Sequence, residues 1–148
     1  LPPYVITWFE SMFKHYLDFN RIDPYTVHLN SIWINEMKQG EYNPVHIHQG
    51  NLYTGLSSVM VLKMPEDMGP EYARHDFRMN GKLQILGNVA GQFVKSDYSP
   101  EKKERDFYIF PYDMRHCVYP HRNSNANRRT LAANADVQYN PVTTRTAG

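Results

Sequence analysis

The spacing of apolar side chains changes once along this chain, and that change constrains the fold more than any other feature. Before residue 20, apolar residues recur every three or four positions: Val5, Trp8, Phe9, Met12, Phe13, Tyr16 and Leu17. That spacing predicts an amphipathic helix over residues 4–19, stopping within residues 20–24. From Ser31 onward the period drops to two, in short runs cut by Pro, Gly and Asn. Strands are predicted at residues 31–37, 42–48, 56–64, 82–86, 106–110, 116–119 and 128–139, with a further one at 92–95. Residues 66–81 read as an irregular connection. Many short strands with turn signals between them predict a mainly β sandwich or barrel, with the single helix packed on its outside.

The 148 residues suit one domain. It divides into an N-terminal helical segment at 1–30, a β core at 31–139 and a tail at 140–148. Sixteen basic and fifteen acidic residues leave a formal charge of +1, which argues against a dedicated nucleic-acid surface. The mixed cluster Lys102-Lys103-Glu104-Arg105 reads as a solvated loop. No apolar run is long enough to cross a membrane as a helix. The lone Cys117 excludes an intrachain disulfide and favours a reducing compartment, and a cytoplasmic protein is expected. No signal peptide is recognised. The chain begins at Leu1 rather than Met, which leaves open whether an N-terminal segment is missing.

The chemistry is concentrated in the histidines. His46 and His48, two apart on a strand, point to one face. His116, far downstream beside another strand, can close a metal site with them. Neutral imidazoles suit iron, zinc, copper or nickel. Arg128, twelve residues further on, can hold an anionic co-substrate. Alternation along the last strand puts Arg128, Thr130, Ala132 and Asn134 on one face and Arg129, Leu131 and Ala133 on the other. His15, His28, His75 and His121 fall in helix or loop contexts and read as ordinary surface or structural residues. Trp33, Val59, Val61, Phe107 and Ile109 read as core.

The run Trp33-Ile-Asn35-Glu-Met-Lys-Gln-Gly40-Glu-Tyr-Asn-Pro44-Val-His46-Ile-His48 resembles the opening of the 2-oxoglutarate/Fe(II) oxygenase superfamily. It is most similar to the small bacterial and phage group related to prolyl hydroxylases. The next block, Leu56-Ser57-Ser58-Val59-Met60-Val61-Leu62-Lys63-Met64-Pro65, continues the likeness. So do Asp106-Phe-Tyr-Ile-Phe110-Pro111 through His116-Cys-Val118-Tyr-Pro120, and Arg128-Arg129-Thr130-Leu-Ala132-Ala-Asn134. The blocks span residues 33–134, and their order and spacing carry the resemblance.

The resemblance implies a double-stranded β-helix, a cupin-like jelly roll with iron at its open end. His46 and His116 would be the two histidine ligands. The family's usual carboxylate, two residues after the first histidine, is replaced by His48, which makes His48 the third ligand. Glu41, Asp113 and Asp136 are the carboxylates to consider if one is required. Arg128 would bind the distal carboxylate of 2-oxoglutarate, and Thr130 could add a hydroxyl to it. Asn35 is a further co-substrate contact by analogy with the nucleic-acid demethylases of the superfamily, and Met37 stands where those enzymes carry a Tyr. Ser57 and Val118 would line the pocket. Segments 49–55 and 66–80 would overhang it.

The implied activity is hydroxylation coupled to oxidative decarboxylation of 2-oxoglutarate, with Fe(II) and O2 and with ascorbate as reductant in vitro. The substrate would be a small molecule or a protein side chain, a prolyl residue among them. Two other readings use the same residues. One is a cupin-type dioxygenase with a three-histidine metal site and no 2-oxoglutarate. The other is a non-enzymatic β-sandwich binding module.

Overall fold

The structure is a computed structural model and describes residues 1–73, 77–89, 91–101 and 103–140. His75, Lys102 and most of the expected tail lie outside the described residues.

Helix α1 spans Pro3–Phe19 and has a proline in its first turn, where a missing N–H costs nothing and φ is already set. Its apolar stripe buries Phe9, Phe13 and Leu17. The stop at residue 19 is made by the backbone. Arg21 takes φ 57, Arg21 N–H donates to Asp18 O at 3.0 Å, and Ile22 N–H donates to Leu17 O at 3.0 Å. This paired closure satisfies carbonyls that the last turn would leave bare.

Among the described residues seven strands follow: β1 Tyr25–Met37, β2 Asn43–His46, β3 Gly55–Lys63, β4 Leu83–Leu86, β5 Phe107–Pro111, β6 Arg115–Val118 and β7 Arg128–Tyr139. They form two antiparallel sheets, one ordered β1-β7-β3-β5 and the other β2-β6-β4. The result is the mainly β jelly roll expected from the sequence, with α1 on the outer face of the larger sheet.

Two expectations about strands need correction. The first strand starts at Tyr25 rather than Ser31, inside the stretch assigned to the helical segment. A bulge between Leu29 and Ser31 explains the difference. Val27 and Leu29 pack under α1, and after the bulge it is Ile32 that does so, while Trp33, Asn35 and Met37 line the inner cavity. One extra residue reverses which face odd-numbered side chains occupy, so no single period-two pattern runs through the strand. Residues 92–95 form no strand. Gln92 and Phe93 lie in a turn closed by Val94 N–H donating to Gly91 O at 3.2 Å. Phe93 is 96% exposed, so the run has no buried face to reward pairing.

Strand β7 organises the molecule. It pairs along its length with β1 on one side and for most of it with β3 on the other. Its outward residues Ala133, Ala135 and Val137 pack with Phe9, Phe13 and Leu17 of α1. Burying each large apolar side chain there contributes roughly 1.5–3 kcal/mol. Its inward residues Arg128, Thr130 and Ala132 line the cavity between the sheets. Both faces are therefore buried, as the burial pattern of the strand shows.

Candidate metal and anion site

Strands β2 and β6 are neighbours in the smaller sheet, and their register sets His46 opposite His116. His48 follows β2, held by its own N–H donating to Tyr112 O at 2.9 Å. Ligand atoms of these three histidines all lie within 4.8 Å of one another. Nε2 of His48 and Nε2 of His116 are 3.0 Å apart. Two imidazole nitrogens at right angles on one ion, each at about 2.1 Å, would be separated by about 3 Å.

Neighbouring groups set the tautomers. His46 Nδ1 lies 2.6 Å from Pro44 O, and His116 Nδ1 lies 2.8 Å from Met114 O. A carbonyl oxygen can only accept, so each Nδ1 carries the proton and each Nε2 presents a lone pair. The third ring, His48, has its Nδ1 3.3 Å from the Asn134 side-chain amide. Phe110 packs on His116 with centroids 4.6 Å apart, and Trp33 sits 6.0 Å from His48. Burial, reinforced by His116 and His46, lowers the pKa of His48 to about 4. It is therefore neutral near physiological pH, as a metal ligand must be.

The histidines open into a cavity of about 520 Å³, a size typical of small-ligand sites. Arg128 lies at its wall and is 1% exposed. Among the described residues its Nη1 reaches only Met37 Sδ, at 3.7 Å, and Nε and Nη2 are buried without a hydrogen-bond partner, as is Ser57 Oγ. Desolvation lowers the Arg128 pKa to about 10, so it remains charged at neutral pH. A buried guanidinium without a carboxylate is costly, and its free fork matches a carboxylate ligand. Arg129 takes the opposite face and pairs with Glu36 at the surface.

The other residues singled out in the sequence are distributed as follows. Thr130 is buried on the cavity wall beside Asn35, its ladder partner. Asn35 uses its side-chain oxygen to accept from Trp33 Nε1 at 3.1 Å, so its NH2 group is what it can offer a ligand. Val118 lines the cavity. None of the three reserve carboxylates joins the histidine cluster. Glu41 accepts from Lys38 N–H at 2.7 Å at the rim, and Asp113 is exposed. Asp136 is buried and accepts from Tyr112 Oη and Asn51 N–H. His121 is a satisfied structural residue: Nε2–H donates to Met37 O, and Nδ1 accepts from Asn123 N–H.

Three expectations change. The cavity wall includes Gly40, Glu41, Tyr42 and Asn43, and no described residue of 49–55 or 66–80. Gly40 adopts φ +78, which suits glycine and lets this turn fold beside the opening. Trp33 and Val59, read as core, also line the cavity. Asn134, one of the inward face of β7, carries no role in the sequence pattern and lies against His48.

A family described as "Putative 2OG-Fe(II) oxygenase" matches residues 31–134, more than two thirds of the chain. The chain belongs to the 2OG-Fe(II) oxygenase family. Solved structures agree at the level of the fold. An oxidoreductase of that family from Burkholderia pseudomallei is 14% identical, with TM-score 0.59, over 84% of this chain and 51% of its own. AviO1 from Streptomyces viridochromogenes Tue57 is 13% identical, with TM-score 0.57, over 90% of this chain and 58% of its own. The non-heme monooxygenase ThoJ, in a nickel complex, is 10% identical, with TM-score 0.52, over 76% of this chain and 46% of its own. The chain thus spans about half the length of these structures. No curated protein sequence matches this family member. Among its described residues, no helix is long and apolar enough to cross a membrane.

Proposed function

We propose that this family member couples oxidative decarboxylation of 2-oxoglutarate to hydroxylation of a second substrate. The overall reaction is C–H + O2 + 2-oxoglutarate → C–OH + succinate + CO2. The observation that carries the reading is the buried Arg128 guanidinium, with two nitrogens unpartnered, in the same cavity as the three-histidine cluster.

The donor set fits a divalent iron: three neutral imidazoles, His46, His48 and His116, would hold it through Nε2 on one face. Bound Fe(II) would supply dioxygen activation, which no side chain here can provide. The protein's own residues do the rest. Arg128 grips the distal carboxylate of 2-oxoglutarate in a dry recess, where a charge-assisted pair is strong. The Ser57 and Thr130 hydroxyls and the Asn35 NH2 group complete the polar wall. The aromatic walls, Trp33 and Phe110, limit water at the histidines. With His48 in place of a carboxylate, these ligands add no negative charge, so the co-substrate's two carboxylates offset only two of the three positive charges of the cation and Arg128.

The test uses purified protein with Fe(II), ascorbate and 2-oxoglutarate, reading succinate with and without candidate substrates, prolyl peptides first. Succinate formation should need both Fe(II) and 2-oxoglutarate. Oxygen consumption that persists in Arg128→Ala without 2-oxoglutarate would favour the three-histidine dioxygenase reading instead.

A further inference from the structure

We propose that Asn134 is a positioning residue, whose side-chain carbonyl holds His48 in the tautomer that can ligate a metal. This rests on His48 being a ligand, as proposed above. Backbone carbonyls two residues earlier already fix His46 and His116. His48 has no such carbonyl partner. What faces its Nδ1 is the Asn134 amide, at 3.3 Å, contributed by the central strand β7.

The chemistry of the ring dictates how that amide must face. His48 Nε2 converges on His116 Nε2, so Nε2 is the atom that would bind metal, and a ligating nitrogen carries no proton. The proton then sits on Nδ1 and needs an acceptor. With its NH2 toward the ring, Asn134 offers a donor to a donor, and its Oδ1 is left buried without a partner. Turning the amide over by 180° corrects the first fault: Oδ1 then accepts the Nδ1 proton, and the NH2 group takes the place that Oδ1 leaves. The position is well braced, since Asn134 is 6% exposed and lies in the ladder between Ser31 of β1 and Ser57 of β3. All three histidines then share one arrangement, Nδ1–H to a carbonyl and Nε2 to the ion.

Two substitutions separate the possible roles. Asn134→Asp keeps an acceptor and removes the donor; Asn134→Ala removes both. The readout is Co(II) affinity by titration of the cobalt absorption bands, with melting of the metal-free proteins measured alongside. Asn134→Ala should bind Co(II) about 10–100-fold more weakly, the usual loss when the partner of a ligating histidine is removed. Asn134→Asp, which keeps an acceptor for the Nδ1 proton, should bind Co(II) at least as tightly as the wild type.

Wild-type affinity in Asn134→Ala overturns the inference, as does an Asn134→Asp protein that folds but binds as weakly as Asn134→Ala. Absence of Co(II) binding by the wild type itself overturns the metal-site reading along with it. Imidazole 15N spectra of the zinc-loaded wild type test the same point without a substitution. Zinc on His48 Nε2 with a proton on Nδ1 supports the assignment, and zinc on Nδ1 overturns it.

Discussion

Arg128→Met should make the ligand-free protein more stable while removing its response to 2-oxoglutarate. Arg128 is 1% exposed, and its pKa falls from the ordinary guanidinium value to about 10 because burial strips its water. At about 1.4 kcal/mol per pKa unit, keeping that charge inside costs the folded state about 3 kcal/mol. The sign follows from which state binds the proton more tightly. From about pH 10 up to the ordinary guanidinium pKa the unfolded chain does, so stability rises with pH there. Below that window both states are protonated, and the full penalty stands at neutral pH.

A Met at this position fills part of the same space without a charge. Water entering the cavity and imperfect packing reduce the gain. For a chain of this size the net rise in Tm is expected to be about 4–10 °C. Calorimetry without metal or 2-oxoglutarate measures it. With 2-oxoglutarate and a redox-inert divalent metal the order should change. Relative to metal alone, 2-oxoglutarate at a hundredfold excess over Kd adds about 2.7 kcal/mol to the wild type and almost nothing to Arg128→Met at the same concentration. If Arg128→Met melts below the wild type in the ligand-free state, the guanidinium is already well paired and the reasoning fails.

His116→Ala should abolish both stoichiometric metal uptake and succinate formation, read by metal analysis and a succinate assay; turnover that survives would remove His116 from the ligand set. Phe13→Ala should destabilise by about 3–5 kcal/mol, measured by urea unfolding, because the ring is fully buried between α1 and β7. Gly55→Ala should also lower the unfolding midpoint, since a methyl group there collides with the Tyr112 ring and the Ala135 carbonyl. Because His48 N–H donates to the Tyr112 carbonyl, the same variant should bind Co(II) more weakly. Unchanged affinity in a destabilised Gly55→Ala protein would show that the Tyr112 turn does not place His48.

What could be read before any coordinates were those features carried by a regular period. Helix α1 and strand β7 have uninterrupted patterns bounded by turn residues, and their expected limits agree with the structure to within a residue. Parity along β7 also separated Arg128 from Arg129, because one strand with both faces buried still sends alternate side chains opposite ways. The beginning of β1 was hidden by its bulge, which reverses parity at Asn30. The run at 92–95 looked like a strand because it is locally apolar; its lack of a partner is a tertiary fact. Of the histidine cluster, the His46–His48 pair was legible as a local repeat, and the closeness of His116 required the β2–β6 register. Asn134 lay on the correct face, but nothing local joins it to a ring 86 positions away. The turn at Gly40–Asn43 replaced the longer loops as cavity wall because loop length says nothing about which way a loop folds.

Strand β7 is a party wall: α1 leans on one side, and the reactive chamber is furnished from the other. Ala133 and Ala135 are small where they pack with the helix. Enlarging either to gain hydrophobic contact would wedge the strand inward and carry Arg128 and Asn134 with it. Selection for heat tolerance at those two alanines is therefore expected to shrink the chamber, so sturdier descendants of this chain would leave less room beside the histidines.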